Sequence, residues 1–191
     1  MNSPSSTGSL SIFLGPMGSG KTTRAIEQVS QFCSLGYKTI YITSKLEAER
    51  TTVSQFYSHN ITGASLHPLC SIFRCRVLPE TFEEADVYII DEAQFFTTLV
   101  VTVKSLLKLG KNIQVYGLSS DFKGEKFGSV IDLIPFSDSF TQMFAKCVKC
   151  AVEKRLTQAS FTDRIGDSEE VIEVGGMGRY TPVCRDHHTR L

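Results

Sequence analysis

The octet Gly15-Pro16-Met17-Gly18-Ser19-Gly20-Lys21-Thr22 satisfies G-x-x-x-x-G-K-[ST], and with its flanks it constrains the fold more than any other feature of the chain. Leu10 to Leu14 reads as a short apolar strand running straight into it. Beyond it, Ile26, Val29 and Phe32/Cys33 recur at helical spacing, and Leu35-Gly36 supplies a stop signal. Strand, glycine-rich loop and helix in that order make a phosphate cradle. The glycines let successive backbone N–H groups curl around the anion, and the helix N-terminus adds its positive dipole. Lys21 reaches the β/γ-phosphates of a nucleotide and the Thr22 hydroxyl ligates Mg²⁺. All eight residues are therefore expected to hold the phosphates of ATP.

Downstream, the chain alternates strand and helix. Tyr37 to Thr43 is rich in β-branched residues and reads as a second strand. Val87 to Ile90 reads as a buried strand, and a helix follows with Phe96, Leu99, Val100, Val103, Leu106 and Leu107 on one stripe and Gly110 at its end. Asn112 to Leu118 is the next strand. This pattern predicts an α/β domain over residues 10–146, with a parallel sheet flanked by helices. Residues 1–9 read as a flexible tail, and 44–85 as loops and short elements. From about Lys146 the α/β pattern stops, and residues 147–191 carry paired cysteine and histidine, short extended stretches and glycines, as a small metal-stapled lobe would.

Asp91, at the end of an apolar strand, is the expected Walker B carboxylate, holding Mg²⁺ opposite Thr22. Glu92 beside it either accepts a proton, from a water or a substrate hydroxyl, or simply caps the strand end. Cys147-x-x-Cys150 and Cys184-x-x-His187 offer four N/S ligands for a closed, structural Zn²⁺ site, with His188 as an alternative fourth ligand. Cys33, Cys70 and Cys75 read as small apolar or surface residues, and His59 and His67 as loop residues. Phe95, Phe96, Phe122 and Phe127 either sandwich a planar base near the phosphates or pack as core.

Composition narrows the class further. Hydrophobic residues make up 41% of the 191, which fits a chain that closes a core. Lys+Arg and Asp+Glu number 20 each, so no global charge draws the protein onto nucleic acid or an acidic membrane. The longest apolar run is four residues, Val87-Tyr88-Ile89-Ile90, far short of the ~18 that span a bilayer. Met1 to Ser9 has no basic or apolar region of a signal peptide, so the six cysteines are expected in a reducing compartment, available for burial or metal in place of disulfides.

In combination, these residues resemble the type II thymidine kinases, the family of cellular and poxviral enzymes, from about Ser9 to His187. The landmarks are the octet; Asp91-Glu92-Ala93-Gln94-Phe95-Phe96; Gly117-Leu118-Ser119-Ser120-Asp121-Phe122 leading to Phe127-Gly128; and Val174-Gly175-Gly176-Met177-Gly178-Arg179-Tyr180 before Cys184-Arg185-Asp186-His187. The resemblance implies transfer of the ATP γ-phosphoryl to the 5′-hydroxyl of thymidine or deoxyuridine, in pyrimidine salvage for DNA synthesis. It implies Glu92 as the base, and Gln94 is grouped with the phosphate-binding residues. Met17, Phe95, Leu118, Phe122 and Phe127 match positions walling the nucleoside pocket. Val171, Ile172, Glu173, Val174, Gly175 and Tyr180 match a lasso loop whose backbone reads the pyrimidine edge and which rests on the zinc lobe, and Arg164 falls near a basic position ahead of it. A cytoplasmic homotetramer, inhibited by the end-product triphosphate, is a further implication.

Three positions depart from the family pattern. Glu47-Ala48-Glu49-Arg50 stands where Asp-x-Arg is usual, Phe144 where a Thr precedes the first zinc cysteine by three positions, and Ser119 where Asp is common. These bear on base preference and leave the catalytic set intact. The readings set against the leading one are a kinase for another deoxynucleoside, a zinc-lobed P-loop ATPase that grips nucleic acid, and a nucleotide-binding module without turnover.

Overall fold

The computed structural model describes residues 7–45, 67–79, 82–166 and 179–189. Among these described residues, ten strands and three helices run in the order β1 Ser9–Leu14, α1 Lys21–Ser34, β2 Thr39–Ser44, β3 Cys70–Cys75, β4 Val87–Ile90, α2 Leu99–Lys108, β5 Asn112–Gly117, β6 Ser139–Gln142, β7 Ala145–Lys146, α3 Val148–Val152, β8 Gln158–Ala159, β9 Phe161–Arg164 and β10 Tyr180–Val183. Three 3₁₀ turns, Ala93–Phe95, Val130–Phe136 and Arg185–His187, complete the described chain.

Six strands form one sheet in the order β3-β2-β4-β5-β1-β6, and every neighbouring pair is parallel. Because side chains alternate across a strand, the two faces bury different sets. Leu10, Ile12, Leu14, Tyr88, Ile90, Ile113 and Val115 pack against Leu99, Val103 and Leu106 of α2. On the opposite face, Phe13, Tyr41, Val87, Ile89 and Tyr116 pack against Ala25, Val29 and Cys33 of α1. Strands buried on both faces read as near-continuous apolar runs, which is why Val87–Ile90 was visible in the sequence. Cys33 and Cys75 are buried as small core residues, and the His67 ring accepts a hydrogen bond from the Leu69 amide within its loop.

Within residues 44–85, read as loops and short elements, β3 forms a six-residue edge strand, because β2 offers it a parallel template from Thr39↔Cys70 to Ser44↔Cys75. β6 extends the sheet beyond β1 (Ser11↔Ser139 to Leu14↔Gln142); its residues are mostly exposed and carry no buried alternation to announce a strand. The second strand begins at Thr39, with Tyr37 instead set edge-on against Phe32, ring centroids 6.0 Å apart.

Beyond the large sheet, β7 pairs with β8 and β9 with β10, both antiparallel. Ala145, Cys147, Cys150, Ala159, Val183 and Cys184 form a separate small core there. Among the described residues, no helix is long and apolar enough to cross a membrane.

Candidate active site

Parallel sheets collect ligands beyond the carboxyl ends of their strands, where the following loops meet. Here β1 delivers the octet, β4 delivers Asp91 and Glu92, and β5 delivers Leu118 at that edge, with Leu14 in register with Gly117 and Ile90 with Val115. The octet can turn so tightly because of its glycines. A Cβ on Gly15 would lie 2.6 Å from the Met143 carbonyl oxygen, and Gly20, which starts α1, sits at φ 81°. Lys21 is buried and donates from Nζ to the carbonyls of Gly15 (2.9 Å) and Pro16 (2.8 Å), so its ammonium lies inside the curl of the loop.

Asp91 is fully buried. Its Oδ1 accepts from the Glu92 amide at 2.9 Å and its Oδ2 from the Tyr41 hydroxyl at 2.7 Å. Burial raises its carboxyl above the ordinary carboxylate range, the neighbouring Glu92 charge adds to this, and hydrogen bonds from Tyr41, Thr22 and the Glu92 backbone work the other way. The bond with Thr22 matters for chemistry: a carboxylate and a hydroxyl side by side at a helix start are hard oxygen donors of the kind Mg²⁺ takes. A buried carboxylate that costs energy to ionise is stabilised as an ion by such a cation.

Glu92 is held in a left-handed backbone conformation, φ 51°, ψ 40°. For a non-glycine residue that costs on the order of 1–3 kcal/mol, and such strain collects at functional positions. Its carboxylate does more than cap the strand. Oε2 accepts from Gln94 Nε2 at 2.6 Å, while Gln94 Oε1 accepts from the Leu118 amide at 3.1 Å. Gln94, grouped with the phosphate ligands from sequence, thus spends its side chain between Glu92 and the end of β5.

Of the four phenylalanines named from sequence, Phe96 is buried in the main core with Leu99 and Val103, and the other three fall into two groups. Phe95 and Phe127 meet edge to face, with centroids 5.5 Å apart and planes at 90°. Phe122 is buried beneath the Arg164 guanidinium, which stands 4.4 Å from its ring centroid and 5.1 Å from that of Tyr180, while Nη2 donates to the Tyr180 hydroxyl at 2.8 Å. The structure therefore joins Phe122, Tyr180 and Arg164 in one cluster. Met17 is tied to it through β9: its amide donates to Thr162 Oγ1 at 3.0 Å. Phe144 lies between β6 and β7 and is 40% exposed. Val171, Ile172, Glu173, Val174 and Gly175, like Glu47–Arg50 and His59, lie outside the described residues.

Cys147, Cys150, Cys184 and His187 converge, with all four ligand atoms within 4.8 Å of one another. His187 Nδ1 stands 3.5, 3.4 and 3.4 Å from the sulfurs of Cys147, Cys150 and Cys184, and the Cys150 and Cys184 sulfurs are 3.7 Å apart. A tetrahedral ion with Zn–S of about 2.3 Å and Zn–N of about 2.0–2.1 Å needs edges of about 3.8 Å between sulfurs and about 3.5 Å between sulfur and nitrogen. The three sulfur–nitrogen edges and the Cys150–Cys184 edge match those values, and the cluster is compatible with zinc. His188 is turned away, its ring buried 5.1 Å from that of Phe161. Against the penalty of burial, the Cys150 and Cys184 backbones and His187 bring the Cys147 thiol down to about 6, toward the thiolate a metal requires.

Tyr41 and Thr162 carried no motif. A tyrosine inside the wholly buried strand β2 does signal a hydroxyl in need of a partner. Nothing near Thr162 in sequence announces its bond to Met17.

The sheet, the phosphate loop and the adjoining acidic pair define a P-loop nucleotide-binding protein. The crystal structure of the flagellar accessory protein FlaH from Methanocaldococcus jannaschii shares the fold, with a TM-score of 0.50 at 16% identity over 85% of this chain and 74% of that one. The thymidine kinase family model matches residues 8–188, and the chain belongs to that family. It is 34% identical over 188 residues to a thymidine kinase of Oryza sativa subsp. japonica, covering 97% of this chain and 68% of the relative. It is 32% identical over 184 residues to a thymidine kinase of fowlpox virus (94% and 96%), and 32% identical over 187 residues to the cytosolic thymidine kinase of Homo sapiens (96% and 74%).

Proposed function

We propose that the protein transfers the γ-phosphoryl group of ATP to the 5′-hydroxyl of thymidine or deoxyuridine, releasing ADP and the nucleoside 5′-monophosphate. The observation that carries this reading is the Glu92 carboxylate, fixed by Gln94 beside Asp91 and the phosphate loop in a chain of the thymidine kinase family. Residues 15–22 cradle the phosphates, with the Lys21 ammonium exchanging its loop carbonyls for phosphate oxygens. Glu92 takes the 5′-hydroxyl proton as that oxygen forms its bond to the γ-phosphorus. The bond from the γ-phosphorus to the β-phosphate oxygen breaks, and ADP leaves with its electron pair. When bound, Mg²⁺ neutralises charge on the β- and γ-phosphate oxygens; Thr22 and Asp91 would hold it.

Met17, Phe95, Leu118, Phe122, Phe127 and Tyr180 wall the nucleoside, and the backbone of Val171–Gly175 reads the pyrimidine edge. Residues 10–146 supply the phosphate and proton chemistry, and 147–191 form a Zn²⁺-stapled lobe that supports the nucleoside side. The bond from Met17 to Thr162 supports this division of labour, since it lets that lobe brace the loop. A cytoplasmic location and a homotetramer rest on the family resemblance and on the cytosolic naming of mammalian relatives; light scattering on the purified protein tests the assembly.

The reaction is tested by incubating purified protein with γ-labelled ATP, Mg²⁺ and thymidine, deoxyuridine or deoxycytidine. Label should pass to thymidine and deoxyuridine. Transfer to deoxycytidine alone would overturn the base assignment, and DNA-stimulated ATP hydrolysis without transfer would overturn the kinase reading.

A further inference from the structure

β2 delivers one residue to the acidic centre that no motif assigns. Tyr41 is 1% exposed, and its hydroxyl donates to Asp91 Oδ2 at 2.7 Å. Backbone pairing fixes the two relative to one another: Tyr41 is in register with Ile89, Ile42 with Ile90, and the Asp91 amide donates to the Ile42 carbonyl at 2.8 Å. The phenol therefore approaches Asp91 from a rigid strand, on the face of the sheet that α1 covers. Asp91 is held from three directions, by the Glu92 amide on Oδ1, by Tyr41 on Oδ2 and by the Thr22 side chain.

A core tyrosine needs a partner for its hydroxyl, and a strand carbonyl would serve. Here the partner is the carboxylate that, with Thr22, offers the hard oxygens of the site. We propose that Tyr41 is a positioning residue for the divalent cation, locking the Asp91 carboxylate in the rotation that presents it together with the Thr22 hydroxyl to the Mg²⁺ of Mg·ATP. The inference rests on the reading of Asp91 and Thr22 given under Proposed function. Carboxylates that contact a metal owe much of their affinity to the groups that orient them, and loss of such a group typically costs about 10- to 100-fold.

The test compares Tyr41→Phe, which removes one oxygen and keeps the ring in the core, with Asp91→Asn. Two dependences on Mg²⁺ are read for each: calorimetric binding of a non-hydrolysable ATP analogue, and turnover. Melting temperature in Mg²⁺-free buffer reports folding. Tyr41→Phe should raise the half-saturating Mg²⁺ about 10-fold in both readouts. Its kcat should return toward the parent value at saturating Mg²⁺, and its thymidine KM should not change. Should Asp91→Asn lose its Mg²⁺ dependence while Tyr41→Phe keeps the parental one, at whatever melting temperature, Tyr41 is a core residue and the positioning role is overturned alone. Should Asp91→Asn bind and use Mg²⁺ as the parent does, the underlying assignment of Asp91 falls and the role of Tyr41 falls with it.

Discussion

Gln94 bridges Glu92 and Leu118, donating from Nε2 to Oε2 of Glu92 at 2.6 Å and accepting the Leu118 amide on Oε1 at 3.1 Å. One amide thus links the loop after β4 to the end of β5 and sets the direction of the carboxylate. Gln94→Ala should lower kcat by roughly 10- to 100-fold, because a displaced base loses the near-attack geometry. It should also cost about 1–3 kcal/mol of stability through the orphaned Leu118 amide. Gln94→Glu keeps an acceptor for that amide but sets two carboxylates against each other, so the pH–rate profile should shift to higher pH. An unshifted profile and an unchanged kcat would show that Gln94 does not position Glu92.

Asp91 predicts a stability signature of its own. Burial pushes its carboxyl from 3.8 to about 6 in the fold. A folded-state value above the unfolded one means that the native protein binds the proton more tightly. The contribution is fully present below the unfolded value and is lost as pH rises through about 6. In zinc-loaded, Mg²⁺-free protein, Asp91→Asn should therefore gain melting temperature over the parent progressively between about pH 4 and pH 7. A difference that stays constant across that range contradicts the assignment.

The parts that sequence revealed are those coded locally. The octet, the run from Val87 to Ile90 and the two Cys/His pairs each lie within a few residues, and each demands a specific backbone or ligand set. β3 and β6 were not visible because edge strands take their definition from a neighbour: Ser139–Gln142 is a strand because β1 lies beside it. The cross-links of the site escaped for a similar reason. Tyr41 is 50 positions from Asp91 and Met17 is 145 from Thr162, distances at which no periodicity survives. Spacing from Cys184 already favours His187 over the alternative His188, and His187 is the histidine that stands in the four-residue cluster, the His188 ring lying against Phe161.

Removal of zinc should act on the nucleoside before it acts on ATP. Cys147, Cys150 and Cys184 are all buried in a core of few apolar side chains, so an ion held by them and His187 would be the principal cross-link there. Chelation, or Cys147→Ser, should lower the melting temperature and raise thymidine KM about 10-fold or more, while calorimetric binding of an ATP analogue persists. Full activity in protein shown by metal analysis to be zinc-free would refute the structural role.

Gly15 tests the phosphate loop sterically. A methyl group there meets the Met143 carbonyl oxygen at 2.6 Å and Ser19 Oγ at 2.8 Å, and the Met143 backbone is itself bonded to Leu14. The serine can rotate away, but the carbonyl cannot without moving β6 off β1. Gly15→Ala should cost about 1–3 kcal/mol in urea denaturation and weaken ATP binding together. Unaltered values for both would mean that the loop is more yielding than its packing indicates.

The most direct measurement is the turnover of Glu92→Gln with ATP, Mg²⁺ and thymidine, alongside its affinity for an ATP analogue. Glutamine preserves size and can still pair with Gln94, but it cannot accept the 5′-hydroxyl proton. Its kcat should fall by ~10²–10⁴ with ATP affinity little changed; turnover near that of the parent would contradict the role of Glu92 as the general base.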